Sequence, residues 1–284
     1  MKDKRRSAIL MTLMAAVLWS TGGLFIKLLP QDAFTILFYR SFYASLIFIV
    51  IFRGKLLKIN RMSIISSLFY ASVLITFVTS TKLTTAANAI FLQYTAPAFV
   101  LIFEPYFTRI RLKKINVWTV ILCFAGMCLF FVNQVRTPDN WLGIWIALAG
   151  GVILSGLLIS QKMNKPENMP SAVFLGNILV CLITLPWFIK NPLPSMLENN
   201  YLMILGIGQL GLGFALFLYG QKILPAIESS LISMLEPILT PIWVFVGYGE
   251  NPGFWALIGG IVIISALIFR IYWIEIVLRK QSLS

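Results

Sequence analysis

Two ionisable side chains sit deep inside apolar runs: Arg40, about eight residues into 33–52, and Glu236, about ten residues into 226–246. At about 1.5 Å of rise per helical residue, both lie about 12–15 Å from the start of their run. A hydrocarbon core is about 30 Å thick, so either would stand well inside it. A charge there costs about 2.5–3.5 kcal/mol on insertion scales and therefore faces a bundle interior or a water-filled cavity. One cation and one anion in a common cavity suit a zwitterion, bound through its carboxylate and its ammonium. Arg40 keeps a functional reading, a cavity cation that meets a substrate carboxylate, and a structural one, a clamp that hydrogen-bonds helix ends or an arginine that snorkels outward. Glu236 reads as a functional carboxylate. Ser229, Ser233, Glu236 and Thr240 are spaced 4, 3 and 4, which puts them on one side of a helix. Pro237 follows and leaves a carbonyl free one turn earlier. Such a polar stripe faces water or other helices, and hydrogen bonding between helices is the competing use.

A second stripe runs through Ala86, Ala89, Gln93, Pro97, Val100 and Glu104, flanked by Asn88 and Tyr94. Glu104, near the end of its run, reads as structural and neutralised by Arg109 or Arg111; Glu228 reads as solvated at the interface. Gly143, Ala147, Gly151 and Ser155 recur every four residues, a spacing that lets backbones approach. Ser155 is also a cavity candidate. Gly206, Gly208, Gly211 and Gly213 surround Gln209 and permit either close packing or bending. The chain has no histidine, so a histidine relay or histidine metal site is excluded. It has no phosphate loop, which argues against ATP-driven transport by this chain alone. No cofactor is expected. A proton carrier, where transport is proton-coupled, has to be a carboxylate, Glu236 first and Glu104 second. Cys123, Cys128 and Cys181 lack metal-ligand spacing and read as small core hydrophobes.

The elements that must position these residues are membrane-spanning helices. Hydrophobic residues make up 59% of the 284 positions and charged residues 12%, about half the charged share of a soluble domain. Runs long enough to span lie near 8–29, 33–52, 63–81, 84–107, 116–133, 141–161, 170–189, 201–221, 226–246 and 253–273. Most breaks carry turn or charge signals, as at Pro30-Gln31-Asp32, Arg53-Gly54-Lys55, 136–140, Asn191–Pro194 and 249–252; the break near Lys82 is weaker. The first run follows Lys2, Lys4, Arg5 and Arg6 but is too long for a signal h-region, so it reads as a retained helix. With the N-terminus inside, Lys2, Lys4, Arg5, Arg6, Arg53, Lys55, Lys58, Arg61, Arg109, Arg111, Lys113, Lys114, Lys162, Lys165, Lys222, Arg270, Arg279 and Lys280 all fall on the inner side. The outer side holds only Lys27, Lys82, Arg136 and Lys190. This is positive-inside asymmetry, and it accounts for the net charge of +13 without nucleic acid. Ten helices with both termini cytoplasmic are predicted.

Five spans per half is odd, so a duplication of 1–138 and 139–284 has to be inverted in the membrane. The best local match sets 82–105 against 222–245 at an offset of 140, pairing Lys82 with Lys222, Ala86 with Ala226 and Pro97 with Pro237. Further motifs are Ala-Ala-Val-Leu-Trp-Ser at 15–20 and Tyr-Arg-Ser-Phe at 39–42. The stretch from Ala226 through Leu235-Glu236-Pro237 to Glu250 and Gly259-Gly260 is the strongest. With these the chain resembles the drug/metabolite transporter superfamily, specifically its EamA-type ten-helix members, over essentially its whole length. It departs where family members carry an acidic residue after span 4: Thr108-Arg109-Ile110-Arg111 stands there. The resemblance implies an all-α membrane protein of two inverted five-helix repeats around a cavity that opens alternately to each side. It makes Arg40 a family-wide arginine, which favours the structural role, and it places Trp19 and Ser20 in the cavity.

The function expected is secondary transport of a small polar metabolite, an amino acid first, with export the expected direction. Another metabolite or a cationic drug-like solute is the alternative. The expected site is Trp19, Ser20, Arg40, Asn88, Gln93, Tyr94, Ser155, Gln209, Ser229, Ser233, Glu236 and Thr240. A lipid-modifying membrane enzyme would need clustered nucleophiles, histidines or carboxylates at a membrane face, and a scaffold would not need a buried polar stripe. The expected setting is a prokaryotic plasma membrane, with the bilayer and a small solute as partners and a monomer as the working unit.

Overall fold

The apolar runs fold as helices. The structure, a computed structural model, describes residues 2–84, 86–108, 114–131, 141–249 and 254–281, with no strand among them. Eight stretches are long and apolar enough to cross a bilayer: Asp3–Leu28, Ala33–Leu57, Arg61–Leu83, Asn88–Phe107, Trp141–Met163, Met169–Lys190, Met196–Gln221 and Ala226–Tyr248. In chain order the helices are α1 (Lys2–Ser20), α2 (Gly22–Leu28), α3 (Ala33–Phe52), α4 (Arg61–Leu83), α5 (Ala86–Gln93), α6 (Ala96–Thr108) and α7 (Lys114–Phe131). There follow α8 (Trp141–Met163), α9 (Met169–Lys190), α10 (Met196–Met203), α11 (Gly213–Gln221), α12 (Ala226–Ser233), α13 (Leu235–Tyr248) and α14 (Phe254–Gln281). The helices α7 and α14 pack on each other but carry only shorter apolar stretches, Lys114–Gly126 and Ile261–Ile274. The expected breaks at 136–140 and 250–252 lie outside the described residues.

Local chemistry sets the boundaries. Asp32 caps α3 by accepting from the N–H of Phe34 and Thr35 at 2.9 and 3.1 Å. Asn60 caps α4 through the Ser63 N–H at 2.7 Å, and Ser195 with Glu198 forms a capping box on α10. Gly249, at φ +80°, closes α13 in the left-handed region that glycine adopts without strain.

Four membrane-spanning stretches are interrupted, and the sequence shows the cause of two. Pro97 and Pro237 each lack the N–H that would bond the carbonyl four residues earlier, and their rings crowd it. Those carbonyls belong to Gln93 and Ser233, the last residues of α5 and α12. The first stretch breaks between α1 and α2 at Thr21, and Ile204–Leu212 is wound as a π-helix between α10 and α11. π-Turns are rare and concentrate at functional sites.

Small residues set the packing around these breaks. A Cβ on Gly151 would come within 2.8 Å of the Leu92 carbonyl, and one on Gly143 within 3.0 Å of Leu83. Both glycines let α8 approach α4 and α5. In the π segment a Cβ on Gly206 would stand 2.8 Å from the Arg40 carbonyl, whereas one on Gly208 would meet nothing within 4 Å. Gly206→Val is therefore expected to destabilise the bundle by about 1–3 kcal/mol through overpacking. Gly208→Ala should leave stability unchanged. Detergent-titrated unfolding of the purified proteins separates them, and equal losses would overturn the packing assignment. Outward, Leu10, Val50, Trp145, Leu182 and Val246 are exposed, as a lipid-facing surface requires.

Candidate substrate site

The interrupted spans converge on one internal cavity. Its lining includes Trp19, Arg40, Gln93, Tyr94, Gln209, Ser233 and Glu236 from the expected set. It leaves about 70 Å³ for the centres of water-sized molecules, several times what one water needs.

Arg40 projects from the unbroken α3 and is 2% exposed. Its Nη2 donates to Gln209 Oε1 at 2.7 Å, and Gln209 Nε2 donates to the Trp19 carbonyl at 3.1 Å. Gln209 thus ties the π segment to the break in the first span and holds the guanidinium at Nη2. Its Nε and Nη1 are buried with no hydrogen-bond partner, although the guanidinium carbon lies 5.9 Å from the centre of the Phe77 ring. An arginine stays charged and presents its donors as a planar fork that matches a carboxylate.

Glu236 stands one residue before Pro237, and Tyr94 Oη donates to its Oε2 at 2.5 Å. The bond joins the broken fourth and ninth runs. No direct ion pair within 4.0 Å links Arg40 and Glu236 among the described residues. The cavity therefore contains a separated cation and anion, each held from behind by one neutral partner.

The remaining walls are apolar. Val73, Leu74 and Phe77 come from α4, Leu154, Leu157 and Leu158 from α8, and Leu210, Phe214 and Phe217 from the π segment and α11, with Ser230 beside Ser233. Trp19 packs on Phe214 and Phe217 at centroid distances of 4.7 and 4.9 Å. Phe77, Phe214 and Phe217 turn their rings toward the cavity rather than toward lipid. The spacing of Leu210, Phe214 and Phe217, 4 and 3, marks one helix face but not whether it meets lipid or ligand.

Five expected site residues lie away from this lining. Ser20 Oγ donates to the Val17 carbonyl and accepts from Trp243 Nε1 at 2.8 Å. Asn88 Nδ2 donates to Thr84 Oγ1, and Thr240 Oγ1 donates to the Glu236 carbonyl. Ser229 is buried with its hydroxyl unpartnered, and Ser155 lines a separate apolar groove between α4, α6 and α8. The one-sided stripe assumed a continuous helix, and the break at Met234 divides it. The readings of Glu228 and Cys128 change, while Glu104 keeps a structural role. Glu228 is 6% exposed and not solvated: it pairs with Arg5 at 3.0 Å and Arg270 at 3.3 Å. Glu104 accepts the N–H groups of Ala226 and Ile227 at 2.9 and 3.1 Å and caps α12, while Arg109 and Arg111 lie outside the described residues. Cys128 is exposed, unlike a core hydrophobe.

The EamA-like transporter family matches this sequence twice, over residues 6–132 and 140–272. The chain belongs to the EamA-like transporter family. This EamA-like protein is 21% identical over 265 residues to an uncharacterized transporter of Archaeoglobus fulgidus, covering 92% of this chain and 94% of that one. It is 23% identical over 248 residues to a protein named S-adenosylmethionine uptake transporter in Rickettsia bellii, covering 84% of each. A solved crystal structure shares its fold at a TM-score of 0.74 and 21% identity, with 92% of this chain and 95% of the other covered. Family and helices together make it a multi-pass membrane transporter that fits the drug/metabolite transporter superfamily.

Proposed function

We propose that this chain is a secondary transporter of a small zwitterionic metabolite, an amino acid first, working by alternating access between two inverted halves. The observation that carries the reading is the cavity's separated charge pair. Arg40, whose Nε and Nη1 are unpartnered, receives a carboxylate, and Glu236, backed by Tyr94, receives the ammonium. Trp19, Phe214 and Phe217 border the cavity and can accommodate an apolar side chain. The relative named for S-adenosylmethionine uptake supports a solute with an amino-acid moiety. Export remains the expected direction, and the proton carrier, if one is used, is Glu236.

Counting α7 and α14 as spans 5 and 10 gives ten spans, 1–138 and 139–284 forming the halves. Several features support the inverted repeat. The broken segments α5 and α12 share the offset of 140 at both ends. Span packing is preserved when each span of the first half exchanges with its counterpart five later. Span 3 on 6 becomes 8 on 1, 3 on 7 becomes 8 on 2, and 4 on 6 becomes 9 on 1, while 2 on 7 and 5 on 10 map onto themselves. Two lysines repeat the pattern: Lys27 Nζ donates to the Thr84 carbonyl at 3.1 Å, and Lys162 Nζ donates to the Leu224 carbonyl at 2.8 Å. Rocking of such halves opens a central site to each side in turn.

Counterflow into proteoliposomes tests the substrate class, using neutral amino acids beside their amides and decarboxylated amines. Amino acids should exchange and both analogue sets should not, because each lacks the carboxylate. Exchange of amines alone, or of no amino acid, would overturn the zwitterion assignment and favour a cationic solute or another metabolite.

A further inference from the structure

We infer that the end of the bundle bearing the N-terminus is shut by an ionic latch centred on Glu228, which gates the cavity on that side. The inference rests on the transport reading above, in which that end is cytoplasmic.

The latch joins elements from both halves. Glu228, in the first turn of α12, holds Arg5 of α1 through Oε2 and Arg270 of α14 through Oε1. Arg270 is 1% exposed, and its Nε donates to Asn116 of α7 at 3.1 Å. Two residues before Glu228, the first N–H groups of α12 are held by Glu104 of α6. Beside them, Lys162 of α8 binds the carbonyls of Gln221 and Leu224 at the end of α11. Opening this end requires α12 to part from α1, α6 and α14, and the contacts of Glu228 and Glu104 cross those seams.

The opposite end closes differently. At the offset of 140, Glu228 corresponds to Asn88 and Glu104 to Val244. Asn88 donates to Thr84 of the preceding turn, and Val244 is buried beside Gly23. Lysine-to-carbonyl contacts recur at both ends, but the carboxylates occupy these positions at one end alone. The latch is therefore an addition to the shared plan.

Its physical effect follows from desolvation. Buried ion pairs contribute little net stability, yet removing one partner leaves the other charge uncompensated in a dry site. Without the Glu228 carboxylate, Arg5 and Arg270 face each other as like charges, and water entry relieves both. Loss of the carboxylate should thus open this end selectively and draw the outer end closed, because alternating access links the two.

The test uses Ser233→Cys as a reporter in the cavity, with Cys123, Cys128 and Cys181 replaced by alanine. A charged methanethiosulfonate is applied to right-side-out and inside-out vesicles. Glu228→Gln should raise labelling from the cytoplasmic side about tenfold and lower it from the outside. Arg5→Gln, at a partly exposed site, should act in the same direction more weakly and carries the test if Glu228→Gln fails to accumulate. Lys27→Gln, at the other end, should shift the ratio the opposite way. Labelling that responds to neither latch variant overturns the latch alone, as does an equal rise from both sides, which reports loosened packing. A reporter that labels from neither side in any variant removes the aqueous path, and with it both the latch and the transport reading.

Discussion

Arg40→Ala is expected to lower counterflow by at least about 100-fold, the scale of losing one partner of a desolvated charge-assisted pair. The side chain is committed through one nitrogen only: Nη2 is held by Gln209, and Nε and Nη1 stay unpartnered. A purely structural clamp would have its other nitrogens satisfied as well, since a buried donor left unmade costs free energy. Arg40→Lys should recover less than a tenth of the flux, because a single ammonium cannot hold Gln209 and also offer a fork to a carboxylate. Vesicle flux with a matched detergent-unfolding curve for each variant is the measurement. Full flux in Arg40→Lys would show that a point charge suffices and would sink the bidentate assignment.

The second large effect is at the negative pole. Glu236→Gln keeps the shape and the Tyr94 contact but removes the charge that, in the proposed function, faces the solute's ammonium. Hydrogen bonds to charged groups are worth about 1.5–3 kcal/mol, so exchange should fall about 10- to 150-fold. Tyr94→Phe retains the carboxylate and loses only its supporting hydroxyl, so its loss should be several-fold smaller. The contrast is best read from flux against amino-acid concentration, where loss of the ammonium partner raises the half-saturating concentration. Equal losses in both variants would mean that the hydroxyl–carboxylate bond, rather than the charge, is what the site needs.

How far the sequence reaches is best seen at particular residues. Arg40 and Glu236 are legible because charge in an apolar run is costly wherever the chain folds. The ends of α5 and α12 are legible from Pro97 and Pro237, since the lost N–H acts on a carbonyl at a known distance along the chain. The π segment is not legible: Gly206, Gly208 and Gly211 license it without requiring it, and its geometry is set by contact with Arg40 and Trp19. Glu228 was misplaced because interface position normally means water, and nothing local reveals Arg5 and Arg270, both remote in sequence, closing over it. The aromatic wall was missed for a related reason. Phenylalanine has the same hydropathy whether it meets lipid or solute, so only tertiary placement tells them apart.

The nine-residue π segment has one more implication. It lies midway along a single rod, with Gln209 in its middle and the carbonyls of Gln221 and Leu224, which Lys162 grips, at or just past its far end. A π-turn takes up more residues than an α-turn, so any rewinding to α geometry turns α11 about its axis and slides it lengthwise. Solute that pulls on the Arg40–Gln209 contact therefore tugs on a shaft whose far end carries acceptors held at the gate. Under the proposed alternating access, span 8 would work as a drive shaft whose pitch sets how much motion at the centre reaches the mouth.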